Sequence, residues 1–137
     1  MSHYTTVETE FTDQECLLDA LNDIGFTADK VEVHEAAQQL FGYGGDQREQ
    51  RAHVIIRRQW VGRASNDVGF FRQPDGTFQA IISEFDARHA KWSSAGLGKL
   101  KQRYNYHVYK KLAERKGYRV RERQDEKGTI KLTLARY

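Results

Sequence analysis

The sequence predicts an α+β protein, a single domain over residues 1–137 with a mainly antiparallel sheet of about six to seven strands and two helices on one face. Three observations predict this class: a short helical pattern between two alternating segments, a run of alternating segments in mid-chain, and a long helical pattern followed by a hairpin. Runs of consecutive strands are typical of α+β proteins and not of doubly wound parallel sheets.

The first elements are a strand and a helix. Residues 3–11 alternate between apolar and polar side chains, which predicts the strand. Thr12 and Glu15 form a capping-box pattern, so we expect the helix to begin there and to end at Gly25. Its predicted apolar face consists of Leu17, Leu18, Leu21 and Ile24. Cys16 adjoins this face, and we interpret it as a small buried hydrophobic residue.

A second strand is predicted over residues 30–36, followed by a loop over residues 37–49 in which the periodicity breaks down. Residues 52–61 then have the strongest strand pattern, because β-branched and aromatic side chains dominate it. The uninterrupted apolar run Val54-Ile55-Ile56 predicts a central strand that is covered on both faces.

Two further strands, over residues 67–71 and 77–85, follow in mid-chain. The turn Gln73-Pro74-Asp75-Gly76 joins them, with proline setting φ and glycine closing the turn. Residues 86–95 are expected to be irregular.

The C-terminal stretch is predicted to be a long helix followed by a hairpin. Its inward face is expected to comprise residues at steps of three and four, namely Leu97, Leu100, Tyr104, Val108 and Leu112. Gly117 suits the end of the helix, and the alternation on both sides of the turn at residues 125–128 predicts two strands. One face of this hairpin should present its cations to solvent: Arg119, Arg121, Arg123 and Lys131.

The composition favours a soluble intracellular protein, which we expect to be cytoplasmic and without membrane contact. The chain of 137 residues has one cysteine, so it has no internal disulfide, and this fits a reducing compartment. No apolar run approaches the roughly 20 residues of a membrane span, and the N-terminus lacks the pattern of a signal peptide.

Charge is distributed unevenly along the chain. Residues 1–49 carry two basic and eleven acidic side chains, residues 50–96 carry seven and four, and residues 97–137 carry thirteen and four. A basic C-terminal segment is compatible with binding nucleic acid or an acidic partner. The alternative is that the acidic first segment packs beside the basic last one, so that their fields partly cancel.

Two stretches are candidate ligand sites. The glycine-rich stretch with Tyr43, Gly44 and Gly45 permits close backbone approach to a ligand, although it matches no phosphate-loop or dinucleotide pattern, and a plain turn is the alternative. On the long helix, four side chains at spacings of three, four and seven share one side and suit an anion or a stacked base: Arg103, Tyr106, His107 and Lys110. The alternative is that Tyr106 and His107 satisfy each other beside the sheet.

No catalytic residue, metal site or cofactor is expected. None of the five histidines lies at a ligand spacing, and one cysteine cannot build a thiolate site. Glu84 and Asp86 project to the same side of a strand, but no nucleophile is placed beside them, and a solvated face is the simpler interpretation.

Several stretches together resemble the hypothetical chloroplast reading frame thirty-five family, which consists of small uncharacterised proteins of algal plastids and cyanobacteria. They occur in order as Met1-Ser2-His3-Tyr4, Gly42-Tyr43-Gly44-Gly45, Asp67-Val68-Gly69-Phe70, Gln102-Arg103-Tyr104-Asn105-Tyr106-His107-Val108 and Leu134-Ala135-Arg136-Tyr137. The chain departs from the family in its more basic C-terminal end. The resemblance implies a cyanobacterial or plastid-like setting, with the plastid stroma as a second location, or a virus of such cells. It implies no activity.

Two functional hypotheses follow. The first is a non-enzymatic binding or regulatory module with a protein partner, chosen through the two charged regions, and a homo-oligomer is compatible with it. The second is a nucleic-acid-binding protein that uses the basic helix and hairpin. Tyr137 is the only aromatic residue on the basic side of that hairpin, which disfavours the reading of single strands. An enzyme that uses the region of Tyr106 and His107 together with the glycine-rich stretch ranks last.

Overall fold

The computed structural model describes residues 3–136, apart from the side chain of Ile130. Within these residues the strands are β1 (Tyr4–Glu8), β2 (Glu32–Phe41), β3 (Gln47–Ile56), β4 (Val68–Arg72), β5 (Phe78–Ser83), β6 (Tyr118–Gln124) and β7 (Ile130–Arg136). The α-helices are α1 (Gln14–Asp23), α2 (Arg58–Val61) and α3 (Ser94–Arg115). Short 3-10 turns cover Ala28–Lys30, Asp86–Arg88 and Ala90–Trp92.

The strands form two antiparallel sheets, which confirms the α+β class. The first five strands form one sheet in the order β1-β5-β4-β3-β2, and β6 pairs only with β7. The division into two sheets was not predicted. It arises because Gly117, with φ +86°, turns the chain back at the end of α3, and Glu122 of β6 pairs with Arg103 of that helix. The hairpin therefore stays beside α3 and does not join the main sheet.

The main core lies between one face of the large sheet and the two long helices, as predicted. The sheet contributes Val54, Ile56, Val68, Phe70, Phe78, Ala80 and Ile82, and the helices contribute Cys16, Leu17, Ala20, Leu21, Leu100 and Tyr104. The hydroxyl of Tyr104 accepts hydrogen bonds from the backbone N–H groups of Thr12 and Asp13, each at 3.0 Å. This contact fixes the start of α1 against the middle of α3.

Two predictions about the helices need correction, while the burial of Cys16 is confirmed. The N-cap of α1 is Asp13 and not Thr12, because the Asp13 carboxylate accepts the backbone N–H of Cys16 at 3.0 Å. Leu112 is 52% exposed and does not face inward. At 3.6 residues per turn it lies roughly 80° around the helix from Tyr104, and Lys111 takes the inner position beside Asp13.

The stretch over residues 37–49, which was predicted as a loop, instead forms the turn of a β-hairpin and the adjoining parts of its two strands. Only residues 42–46 form its turn, and β2 and β3 continue on both sides. Trp60 and Val61, predicted as strand residues, lie in α2. The predicted burial of Val54, Ile55 and Ile56 on both faces is confirmed, since each is fully buried.

The β2–β3 hairpin packs over the second face of the sheet. The register of β2 against β3 shifts between Val33 and Gln38, and a small second core forms from Leu40, Ala52, Ile55 and Ile81. Gly69 on β4 lies directly under this hairpin, because a Cβ at that position would overlap the Cβ of Ala52. The absence of a side chain at Gly69 is therefore what allows the hairpin to approach the sheet.

A buried carboxylate anchors this arrangement. Asp67 is 1% exposed, and its oxygens accept hydrogen bonds from the backbone N–H groups of Phe41 and Arg58, both at 2.7 Å, and from Nη1 of Arg57 at 2.8 Å. Arg57 also binds Glu32 through Nε at 2.8 Å and Nη2 at 2.9 Å, and this hydrogen bonding lowers the pKa of Glu32. The pair of Asp67 and Arg57 therefore joins β2, the start of α2 and the segment before β4.

We predict that Leu100→Ala and Leu112→Ala differ sharply in stability. Leu100 is fully buried in the main core, so its truncation should lower the free energy of unfolding by about 2–5 kcal/mol. Leu112→Ala should change it by less than about 0.5 kcal/mol, as is usual for surface substitutions. Urea denaturation of both variants measures the difference, and equal losses would contradict the packing described above.

We also predict that Asp67→Ala destabilises the fold by about 3–5 kcal/mol, because it removes the buried acceptor of two backbone N–H groups and leaves the guanidinium of Arg57 with one carboxylate partner in place of two. Glu35→Ala is the matched control: this carboxylate lies exposed on the same hairpin and should be close to neutral. Urea denaturation is again the measurement. A neutral Asp67→Ala would show that the buried pair is dispensable.

Candidate functional site

The four helix residues predicted to form an anion site lie together on α3, but three of them, Arg103, His107 and Lys110, contact acidic groups of the chain itself. Asp23 of α1 binds Nε of Arg103 at 2.8 Å and Nε2 of His107 at 2.6 Å. Arg103 also pairs with Glu122, and its guanidinium lies 4.5 Å from the ring centroid of Tyr106. A ligand anion would have to compete with two carboxylates here.

The same contact continues toward the start of α1. Lys111 binds Asp13 at 2.8 Å and lies 3.6 Å from Glu15. Lys110 faces Glu114 one turn further along α3, at 3.9 Å. The acidic N-terminal and basic C-terminal segments therefore pack against each other, so the alternative in which their fields partly cancel is confirmed.

The basic face of the hairpin differs from this neutralised surface. All four predicted cations are exposed. Arg123 of β6 and Lys131 of β7 lie directly opposite each other in the hairpin. Within residues 3–136, Arg121, Arg123 and Lys131 have no carboxylate partner. Tyr137, the one aromatic residue assigned to this side, lies outside the described residues.

The glycine-rich stretch forms the turn between β2 and β3. The N–H of Gly45 donates to the carbonyl oxygen of Gly42 at 2.9 Å, and Gly45 adopts φ +80°. The backbone N–H of Tyr43 donates to Oδ1 of Asn66 at 3.0 Å, which ties the turn to the loop before β4. Tyr43 itself is 58% exposed.

A buried polar network holds that loop in place. Asn66 donates from its backbone N–H to Asp86 at 3.0 Å and from its side-chain amide to the hydroxyl of Ser83 at 2.9 Å. Ser83 in turn donates to the same Asp86 oxygen at 2.8 Å. These three residues are almost fully buried. The loop before β4, the end of β5 and the glycine turn are therefore joined.

Two adjoining cavities flank this loop and share Ala64 and Phe85 in their walls. One, of about 510 Å³, is also lined by Tyr43, Arg48 and Asn66, together with Gly44 and Asp46. The other, of about 460 Å³, has a wall that includes Phe26, Trp60, Arg63, His89, Lys91 and Trp92. We call the surface around both cavities the aromatic end and define it by its exposed aromatic residues Tyr43, Trp60 and Phe85.

The second cavity of the aromatic end is surrounded by cations. Arg63 is exposed and has no carboxylate partner among the residues described. Lys91 donates to the carbonyl oxygen of Ile24 at 2.6 Å and lies 4.8 Å from the ring of Phe26, so its charge is not neutralised by an acid. Lys30 lies 5.5 Å from the ring of Trp60. Asp86, the acid of the second cavity wall, is buried in the polar network.

The sequence pattern predicted only part of this surface. Tyr43, Gly44 and Gly45 were predicted as a candidate ligand site, whereas Trp60 was predicted to lie in a strand and neither Arg63 nor Phe85 was predicted to belong to a site. A usable signal existed: the polar triplet Arg57-Arg58-Gln59 interrupts the apolar alternation just before Trp60. No comparable signal linked Asp67 or Asp86 to the glycine turn, because these contacts span 20 or more residues.

The described residues have two features that bear on the class of site. No group of three or more histidine, cysteine, aspartate or glutamate side chains has an arrangement suited to a metal ion. No helix in residues 3–136 is both long enough and apolar enough to cross a membrane.

Comparison with known proteins places the chain in a family. No curated protein matches the sequence, and no solved structure matches it. The family model described as "Protein of unknown function (DUF1257)" matches residues 20–133, which is most of the chain and includes most of the main core, the aromatic end and most of the hairpin. The chain therefore belongs to the DUF1257 family of proteins of unknown function.

Proposed function

We propose that this protein is a non-enzymatic binding module whose aromatic end docks an acidic segment of a protein partner. One observation carries the proposal: three exposed aromatic side chains surround two adjoining cavities on a single surface, with exposed fractions of 58% for Tyr43, 43% for Trp60 and 36% for Phe85. Aromatic residues are enriched among the few that supply most of the binding energy in protein interfaces.

The backbone that carries these side chains is held in place by hydrogen bonds. The N–H of Tyr43 is bound to Asn66, Phe85 lies between Ser83 and Asp86 of the polar network, and α2 begins at the N–H that Asp67 accepts. A surface held in this way loses little conformational entropy on binding, which favours affinity. The arrangement supports recognition by a preformed surface.

The charge of the surface indicates the chemistry of the partner. Arg63, Lys91 and Lys30 are cations around the second cavity, and its acid Asp86 is buried and already hydrogen-bonded. An acidic segment with apolar side chains would complement both the charge and the cavities. We place this interaction in a cyanobacterial or plastid-like cell, in the cytoplasm or the plastid stroma, including cells in which a virus supplies the gene.

The helix residues Arg103, Tyr106, His107 and Lys110 support a ligand site less well. Hydrogen bonds or ion pairs with Asp23, Glu122 and Glu114 already engage three of these side chains. A binding role for them stays a prediction, and the aromatic end is the better candidate.

We predict that the double variant Tyr43→Ser, Trp60→Ser weakens binding of acidic peptides. The probe is the tightest peptide selected from a displayed library rich in aspartate, glutamate and apolar residues. The dissociation constant, measured by fluorescence anisotropy, should rise at least about tenfold, because interface aromatics each contribute about 2 kcal/mol when they act as hot spots.

The control for this experiment is Tyr109→Ser, which removes an aromatic side chain of similar exposure from α3. It should leave affinity unchanged. Selection of no acidic peptide, or equal affinity of the double variant and the wild type, would overturn the proposal.

A second candidate function is nucleic-acid binding by the hairpin, and one observation favours it. Arg121, Arg123 and Lys131 are exposed on one face and have no acidic partner within the described part of the chain. Such a row of cations suits a phosphate backbone, whose contacts dominate affinity and make it dependent on salt.

The triple variant Arg119→Glu, Arg121→Glu, Arg123→Glu should then abolish binding of a single-stranded oligonucleotide, because it replaces attraction to phosphate by repulsion. Gel shift at low salt measures the loss. The variant Arg51→Glu, Lys99→Glu, Lys101→Glu makes the same change in net charge at other exposed positions and should bind nearly as the wild type. Unchanged affinity of the hairpin variant would exclude this function.

A further inference from the structure

The small β6–β7 sheet leaves one row of backbone hydrogen-bonding groups unpaired along each strand. Among the described residues, no third strand pairs with it. A two-stranded sheet is only marginally stable by itself, and an open edge is a template for pairing with another chain. Each edge is therefore a possible site for pairing with another strand, and the two edges differ in their side chains.

The register of the hairpin shows which groups face the open edge of β7. The N–H of Asp125 donates to the carbonyl oxygen of Thr129 at 3.0 Å next to the turn. Hydrogen-bonded and non-hydrogen-bonded pairs alternate along an antiparallel ladder, so the pair Arg121–Thr133 is hydrogen-bonded. The N–H and C=O groups of Leu132 and Leu134 consequently point away from β6.

Strand β7 is complementary to a second copy of itself. Thr133 is its midpoint, so a two-fold axis through Thr133 places Leu132 opposite Leu134 of the second copy. These are the residues whose backbone groups face outward, so each such pair would form two hydrogen bonds. The same register places Lys131 opposite Ala135 of the second copy, and no like charges meet.

Side-chain exposure agrees with this pairing. In the hairpin Leu132 lies opposite Glu122, and Leu134 lies opposite Val120, so all four side chains are on one face of the sheet. This face is turned toward α3, because Glu122 pairs with Arg103 of that helix. Leu134 is nonetheless 41% exposed. Pairing of two β7 strands would place the leucines of both copies side by side on this face and remove apolar surface from water.

The edge of β6 is unsuited to the same arrangement. A two-fold axis through Arg121 would set Arg121 against its own copy and Arg119 against Arg123 of the second copy. Like charges directly opposite on one face are destabilising, and charged side chains are a common protection of edge strands. The arginines thus block self-pairing at β6 and leave β7 as the competent edge.

We propose that two copies of this protein associate through antiparallel pairing of their β7 strands about Thr133, which joins the two hairpins into one four-stranded sheet. The contact is isologous and closes on itself, so it yields a dimer and no filament.

The test is a symmetric disulfide formed by Thr133→Cys. In the proposed register Thr133 forms a non-hydrogen-bonded pair with its own copy, with about 4.5 Å between Cα atoms, which is within the range that a disulfide spans. Mild oxidation should therefore give a covalent dimer on a non-reducing gel. Cys16 is buried and should not compete. Thr133 is exposed, so the variant should fold.

Thr129→Cys is the matched control, because it also lies exposed beside the turn but away from the axis. It should give little covalent dimer. The wild-type chain should sediment with about twice the monomer mass of 15.9 kDa, and Thr133→Lys, which sets two ammonium groups against each other, should sediment as a monomer. A monomeric wild type, equal cross-linking of both cysteine variants, or a dimer that survives Thr133→Lys would overturn the proposal.

Discussion

The buried carboxylate of Asp67 is the constraint on which much of this structure depends. It accepts hydrogen bonds from β2, from the first residue of α2 and from the guanidinium of Arg57. A carboxylate is costly to bury unless such donors surround it, so this group is satisfied only when all these segments are in place. Its neighbour Asn66 holds the glycine turn and reaches Ser83. The aromatic end is therefore a consequence of the same buried network.

The charged side chains of the molecule fall into two groups, those that form ion pairs within the chain and those that do not. The ion pairs between α1 and α3 neutralise part of the acidic N-terminal segment and part of the long helix, as the contact of Arg103 with Asp23 illustrates. Within the described residues, cations without a carboxylate partner include Arg121 on the hairpin face and Arg63 at the aromatic end, and others such as Lys99 lie along α3. The aromatic end combines such cations with three exposed aromatic side chains around two cavities, which is why we propose protein binding there.

The proposed dimer and the proposed binding surface would reinforce each other. Two-fold pairing at β7 presents two copies of the aromatic end on one particle, and two linked sites can bind a bivalent partner more tightly than either does alone. The dimer would also join two basic hairpin faces into one, since the cations at Arg121, Arg123 and Lys131 lie on the face opposite to Leu132 and Leu134. A doubled cationic face would strengthen the attraction to a phosphate backbone that the nucleic-acid hypothesis invokes.

The sequence by itself determined the α+β class, nearly every strand, the burial of Val54–Ile56 and the termini of the long helices to within a few residues, because these depend on local periodicity and glycine positions. The tertiary structure alone decided that β2 and β3 continue across the stretch predicted as a loop, that Leu112 faces solvent, and that Trp60 joins Tyr43 at one surface. These three outcomes have the same physical reason, because each depends on contacts between segments that are distant in the sequence. The contacts are, in the same order, Gly69 under the hairpin, Lys111 beside Asp13, and Asp67 between Phe41 and Arg58.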